Sequence, residues 1–201
     1  NFIVRSDEYD ENRHFLMAQY FRNNYNKAMK EIPLVNSLAQ ILRVEVWVTN
    51  RTGATTDTRD VVALMDLGEG QPYGPYPGLG DVPPRNDANT LYSTILAAPA
   101  ARSSSAVTSI LSGVGLQPVQ DFEKTFARKL LPTDYYFNPQ VGFLSLNQQL
   151  QPDEVLGVAF QYTYNGKVYQ VGEFSTDIPP DSTGTTQPVI FLKLLKLLNL
   201  L

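Results

Sequence analysis

The sequence predicts an α+β fold dominated by antiparallel strands, with one long N-terminal helix and two short central helices. Three observations carry this. In "LRVEVWV", Leu42, Val44, Val46 and Val48 share one face, while Arg43, Glu45, Trp47 and Thr49 share the other. Such period-two alternation in β-branched residues marks a half-buried antiparallel strand. In "DENRHFLMAQYFRNNYNKAMKEIP", Phe15, Ala18, Phe21, Tyr25, Ala28 and Ile32 recur every three to four residues, a helical period. Asn165-Gly166 stands between two alternating runs, where a type I′ hairpin turn needs positive φ at both central residues.

Taken in chain order, Asp10 is the expected N-cap of the long helix and Pro33 its end. The Arg43–Asn50 strand follows, then the polar loop "NRTGATTDTRD". "VVALMDLGE" is a second strand, expected to pair with the first as a long-looped hairpin. "GEGQPYGPYPGLGDVPPR" is too rich in glycine and proline for regular structure, and Tyr73 and Tyr76 are its candidate anchors. "NDANTLYSTILAA" and "SSSAVTSILSG" read as the two short helices. Asp87 and Ser103 or Ser104 offer caps, and Gly113 a stop. "DFEKTFARKLL", "DYYFN" and "VGFLSL" read as short strands, with a tight turn at Asn138–Gln140. "VIFLKLLKLL" fits a strand or a helix equally. With no internal repeat and no clean linker, residues 1–201 read as one domain.

Composition narrows the function classes. Hydrophobic content of 43% against 18% charged residues is globular rather than disordered. A net charge of −4 without a basic block argues against nucleic acid. With no cysteine, disulfide frameworks and thiolate metal sites are excluded. No apolar run reaches the roughly 18 residues of a membrane helix. The chain starts mid-pattern and stops abruptly, which suggests a piece of a longer polypeptide.

Nothing in the sequence assembles a catalytic or metal constellation, and no cofactor is expected. His14, the only histidine, reads as a surface residue of the helix, without the partners that a triad or zinc site needs. The acids Asp7, Glu8, Asp10 and Glu11 lack calcium-loop spacing and suit a helix start instead. Glu45, Asp66 and Glu69 form the better carboxylate trio if their strands are neighbours. Aromatic content is more telling. Tyr162, Tyr164 and Tyr169 lie on the last hairpin, and Tyr73 and Tyr76 lie on the proline-rich loop. Sheet packing is the plainer account of them; the sharper one is an aromatic contact surface for a polypeptide or glycan. Trp47 is expected to be buried, with both faces of its strand covered.

Several phrases carry a family resemblance. "FLMAQYFRNNYNKAM", "RVEVWVTNRTG", "TRDVVALMDLGE", "ARKLLPTDYYFNPQVGFLSLN" and "PDEVLGVAFQYTYNGKVYQVGEFSTD" occur in order over roughly residues 9 to 196. Together they resemble the SprA/Sov family, the outer-membrane translocons of the Bacteroidetes type IX secretion system, which serve protein export and gliding motility. The resemblance implies a very large transmembrane β-barrel with inserted soluble domains. This chain lacks the repeated barrel-strand signature and would be one such domain, extracellular or periplasmic, in a parent protein of the cell outer membrane. Implied partners are secreted protein substrates and partner outer-membrane or lipoprotein subunits; no catalytic residues are implied. "EVWVTN … VVALMDLGE" also resembles a phrase pair of jelly-roll carbohydrate-binding modules, which implies a jelly-roll-like β-sandwich. It also supplies the alternative function, a carbohydrate-binding module of a cell-surface protein. Asp181-Ser182-Thr183 resembles the Bacteroidetes O-glycosylation sequon, which makes Ser182 the candidate acceptor.

Overall fold

The computed structural model describes residues 12–31, 34–180 and 187–196. The fold is α+β, with strand β1 (His14–Leu16) and helix α1 (Gln19–Ala28) followed by β2 (Ala39–Thr49) and β3 (Thr58–Leu64). Helices α2 (Leu91–Leu96) and α3 (Val107–Gly113) flank a 3-10 turn at Pro99–Arg102. Strands β4 (Phe122–Lys129), β5 (Tyr135–Asn138), β6 (Phe143–Leu146), β7 (Leu156–Tyr164), β8 (Lys167–Val171) and β9 (Ile190–Lys196) complete the described chain.

Five strands close on themselves. The order β2-β4-β3-β9-β7 returns to β2 through a long β2–β7 ladder, and β8 adds to the outer half of β7. An odd number of strands cannot alternate direction around a closed ring, so one neighbouring pair must run parallel. That pair is β3–β9. A closed barrel therefore replaces the two facing sheets of the expected sandwich. Beside it lies a separate three-stranded sheet, β1-β6-β5.

Alternation divides the apolar residues into three cores. Trp47, Val61, Ala63, Ala127, Ala159, Ile190 and Leu192 fill the barrel. The bore is narrow: a Cβ on Gly157 would lie 3.1 Å from Leu192 and 3.2 Å from the Ala63 Cβ, so any larger residue would push these neighbours back. On the outer face of β3 and β9, Val62, Leu64 and Phe191 pack against α2 and α3 through Leu91, Ile95 and Leu111. On the outer face of β2 and β7, Val46, Val48, Phe160 and Tyr162 pack against Met17 and Phe21 and against Leu144 and Leu146 of the small sheet. Trp47 is 2% exposed, and the opposed valines lie under this second cover, so both faces of its strand are covered as expected.

Several elements differ from expectation for physical reasons. The long helix is only α1, because Phe15 and Leu16 lie in β1 and complete the small sheet against Leu144 and Phe143. Its expected cap Asp10, and Pro33, lie outside the described residues. Strands β2 and β3 do not pair; the loop between them is long enough for β4 to enter, bonding β2 by its last residues and β3 along its whole length. A β-bulge at Leu42 resets the face of β2, so Ile41 joins the core with Val44, Val46 and Val48 while Leu42 is 54% exposed. Helix α3 ends at the expected Gly113, but the residue that takes the positive φ is Gly115, whose +93° lets the Leu116 amide reach the Leu111 carbonyl at 3.0 Å. Neither expected cap side chain caps α2 or α3; the Asn89 side-chain oxygen instead accepts the Leu91 amide at 2.9 Å.

Other expectations hold. The Asn165-Gly166 turn has φ of +48° and +75° and closes β7 on β8 with Tyr164 opposite Lys167. Asn138 caps its own turn, accepting the Gln140 and Val141 amides at 3.0 and 3.3 Å. "VIFLKLLKLL", which fitted a strand or a helix, is a strand over Ile190–Lys196, with Phe191 buried outside the barrel and Ile190 and Leu192 inside.

Candidate functional site

A groove of about 450 Å³ lies where α1 and β1 meet the end of β3 and the C-terminal half of β9. Its floor is a buried ion pair, Lys193 Nζ to Glu69 Oε1 at 2.7 Å. Lys193 also donates to the Met65 carbonyl, and Glu69 accepts the Gln19 amide at 3.3 Å. Each buried charge thus has its counter-charge and a backbone partner, the condition under which burial is tolerated.

Tyr73 stands over this groove, 78% exposed, because Asp66 folds the proline-rich loop beneath it. The Asp66 carboxylate accepts the Tyr73 amide at 2.9 Å and the Gly74 amide as well. A Cβ on residue 74 would lie 2.6 Å from the Asp66 oxygen, so glycine is required for that approach. Asn89, also buried, donates to the Asp66 and Glu69 carbonyls at 2.6 and 3.1 Å, locking the loop to α2. Arg22, Gln19 and His14 supply the rest of the polar rim. His14 is exposed as expected, but on β1 rather than a helix, with its ring stacked on Phe143 at 5.6 Å.

The predicted aromatic residues do not form one surface. Tyr162 is fully buried, its hydroxyl donating to the Pro84 carbonyl at 2.6 Å, and desolvation holds its phenol well above the usual pKa. Its ring belongs to the core. Tyr76 is half-buried and donates to the Val114 carbonyl at 2.7 Å, pinning the proline-rich loop to the helical layer. Tyr169 is half-buried between Tyr162 and the Arg85 guanidinium. Tyr164 meets Tyr20 edge-on at 6.0 Å and lines a second groove of about 340 Å³ with Tyr25 and Leu38. Exposed Tyr73 and half-buried Tyr164 thus border two grooves that share α1 as a wall. Ser182 lies outside the described residues.

The carboxylate trio is divided. Asp66 and Glu69 follow β3 on one loop, whereas Glu45 lies in the barrel near the other end of β3. There it accepts the Ser175 amide at 2.9 Å, the Ser175 hydroxyl at 3.0 Å and the Trp47 indole N–H at 3.3 Å. Among the described residues no group of three or more His, Cys, Asp or Glu side chains is placed to hold a metal. No described helix is long and apolar enough to cross a membrane. Neither a scan against protein-family models nor a search of curated proteins returned a match.

Two arginines, the buried Arg59 and the part-buried Arg102, were not singled out by sequence reasoning. Arg102 joins the helical layer to the barrel: Nη1 and Nη2 each meet a Glu173 oxygen at 2.6 Å, and Nη1 reaches the Val189 carbonyl at 3.0 Å. Glu173 also accepts the Tyr92 hydroxyl at 2.7 Å and the Phe191 amide at 2.9 Å. Arg59, inside the barrel mouth, is 4% exposed and bonds only carbonyls. A signal existed for Arg59, since alternation in "TRDVVA" puts it on the face of Val61 and Ala63, an apolar face where a cation is out of place.

Proposed function

We propose that this chain is a non-catalytic soluble domain of an outer-membrane translocon of the type IX secretion system, supporting protein export and gliding motility. It works by contact with passing polypeptide and with partner outer-membrane or lipoprotein subunits, and it lies on the extracellular or periplasmic side of the parent protein's membrane. The ordered phrases that resemble the SprA/Sov family support the assignment. The two grooves along α1, bordered by Tyr73 and Tyr164, offer the mixed apolar and polar lining that suits polypeptide. Glu45, Asp66, Glu69 and Glu173 are each held by structural donors, which suits a scaffold rather than acid–base chemistry.

The observation that favours this reading over a jelly-roll-like carbohydrate-binding module is the place of Trp47. A sugar-stacking platform needs an exposed indole face, and Trp47 lies inside the barrel at 2% exposure. The test is site-specific photo-crosslinking from position 73, in the full-length parent protein made by a host with the secretion system. Secreted polypeptides or translocon subunits in the adducts are the expected result. Glycan binding by the purified chain that is abolished by Tyr73→Ala, without polypeptide adducts, would favour the carbohydrate-binding module instead.

A further inference from the structure

The β7–β8 hairpin ends in the chain's one Asn-Gly pair, Asn165-Gly166. Both residues are exposed, as are Lys167 and Val168 after them. Asn165 and Gly166 take φ of +48° and +75°, and the ladder closes with Tyr164 opposite Lys167. The Gly166 amide therefore takes no part in that ladder. Beyond the two chain neighbours, a Cβ on Gly166 would have no heavy atom within 4 Å, so the space around this amide is open. Strand β8 has β7 as its one strand neighbour, so opening the tip breaks bonds to a single strand.

These features place a nucleophile beside an electrophile. Once hydroxide takes its proton, the Gly166 backbone nitrogen can attack the side-chain carbonyl carbon of Asn165. The new N–C bond closes a cyclic imide, and the side-chain nitrogen leaves as ammonia. Water then opens the ring at one of its two carbonyls. One opening gives aspartate; the other gives isoaspartate, in which the main chain runs through the side chain. The balance is one water in and one ammonia out, with no oxidant or reductant. Glycine favours the attack because no Cβ obstructs the amide. Every other described asparagine precedes a residue with a side chain. The attack also needs Asn165 to swing out of its turn conformation, so it runs through the opened tip.

We propose that Asn165-Gly166 is a site of spontaneous deamidation, and that its isoaspartyl product releases the register of β8. A two-residue turn with positive φ at both positions has no room for an extra main-chain atom. The register it sets reaches well beyond the tip. Strand β8 leads through Gly172 to Glu173 and Ser175, which meet Arg102 and Glu45. The aspartyl product keeps the main chain intact, and Asp-Gly suits this turn as Asn-Gly does, so that product leaves the hairpin in place. The modification thus weakens the chain with age through one of its two products. This assignment does not depend on what the grooves along α1 contact.

The purified chain and Asn165→Gly, which keeps the turn without the side-chain amide, are incubated at neutral and at mildly alkaline pH, well below melting. Peptide mapping by mass spectrometry follows the exchange of nitrogen for oxygen, and isoaspartyl methyltransferase with a labelled methyl donor counts isoaspartate. Asn165 should convert about tenfold or more ahead of Asn36, whose successor Ser37 carries a Cβ, and faster at the higher pH. Label should collect on the peptide spanning residues 164–167 in wild type and be absent from it in Asn165→Gly. Conversion of Asn165 no faster than that of Asn36, or equal label on that peptide in both chains, overturns the site. The comparison within wild type decides should Asn165→Gly fail to fold. The converted chain carries one more negative charge, so ion exchange separates it. Its isoaspartyl form should melt about 2–4 °C or more below wild type, and Asn165→Asp within about 1 °C of wild type. An isoaspartyl form that melts with wild type, or Asn165→Asp melting as low as the isoaspartyl form, overturns the release of register.

Discussion

Two guanidiniums grip the segment that leads into β9 from opposite sides, and they are provided for differently. Arg102, on the outer face, bonds the Val189 carbonyl and receives Glu173 as a two-pronged partner. Arg59, inside the mouth, bonds the adjacent Pro188 carbonyl and receives only a second carbonyl. Burial alone would lower the pKa of Arg102, but the hydrogen bonds and charge of Glu173 more than reverse it, so it stands raised. Burial lowers that of Arg59, and the more distant acids do not restore it. The difference teaches two ways of holding a cation. Arg102 has its counter-ion built into the chain and acts as a fastener, whereas Arg59 is held by carbonyls alone among the described residues.

The largest expected effect comes from undoing the fastener. Glu173→Ala leaves Arg102, the Tyr92 hydroxyl and the Phe191 amide without their common acceptor, and should cost about 3–5 kcal/mol. Thermal or urea unfolding reads this directly; a loss under about 1 kcal/mol would mean the pair is not what joins the helical layer to the barrel. Next is the indole that fills the barrel beside Arg59. Trp47→Ala empties the barrel waist and should cost about 3 kcal/mol or more, while wild-type emission should be blue-shifted and resist iodide. Emission near that of free indole, readily quenched, would contradict the closed barrel.

Smaller effects sharpen the contrast. The β7–β8 turn sets the register that delivers Glu173 to one arginine and Ser175 to the other. Asn165→Val forces a β-branched residue into positive φ and should cost about 1–2 kcal/mol. Unchanged melting would show that the turn does not hold that register. Smallest is Arg59→Met. Relief from desolvation should offset most of the two lost carbonyl bonds, leaving stability within about 1 kcal/mol of wild type. A loss as great as that of Glu173→Ala would erase the distinction between the two arginines.

Local features were legible in the sequence, and long-range ones were not. Asn165-Gly166 declares its hairpin because turn chemistry is local, and Trp47 is buried because a residue opposite a valine row has a covered face on either side. Entry of β4 between β2 and β3 leaves no local trace, since alternation says which face a residue takes and not which strand lies beside it. The bulge at Leu42 is likewise silent: an unbroken alternation reads through it. Tyr162 shows why aromatic residues mislead, for a tyrosine can be core if its hydroxyl finds one carbonyl, and here Pro84 supplies it from a loop 78 residues away. Arg59 was readable from its apolar neighbours on the same face, but that the Pro188 and Ser175 carbonyls hold it emerges only from the fold.

The most direct measurement compares both arginines in one spectrum. With the side-chain nitrogens of arginine labelled, the guanidinium signals of Arg59 and Arg102 are followed by NMR in wild type and in Glu173→Gln. The account predicts a large shift of the Arg102 signals, which lose their carboxylate, with the Arg59 signals nearly stationary because carbonyls hold that guanidinium. Shifts of both together, or of neither, would contradict it.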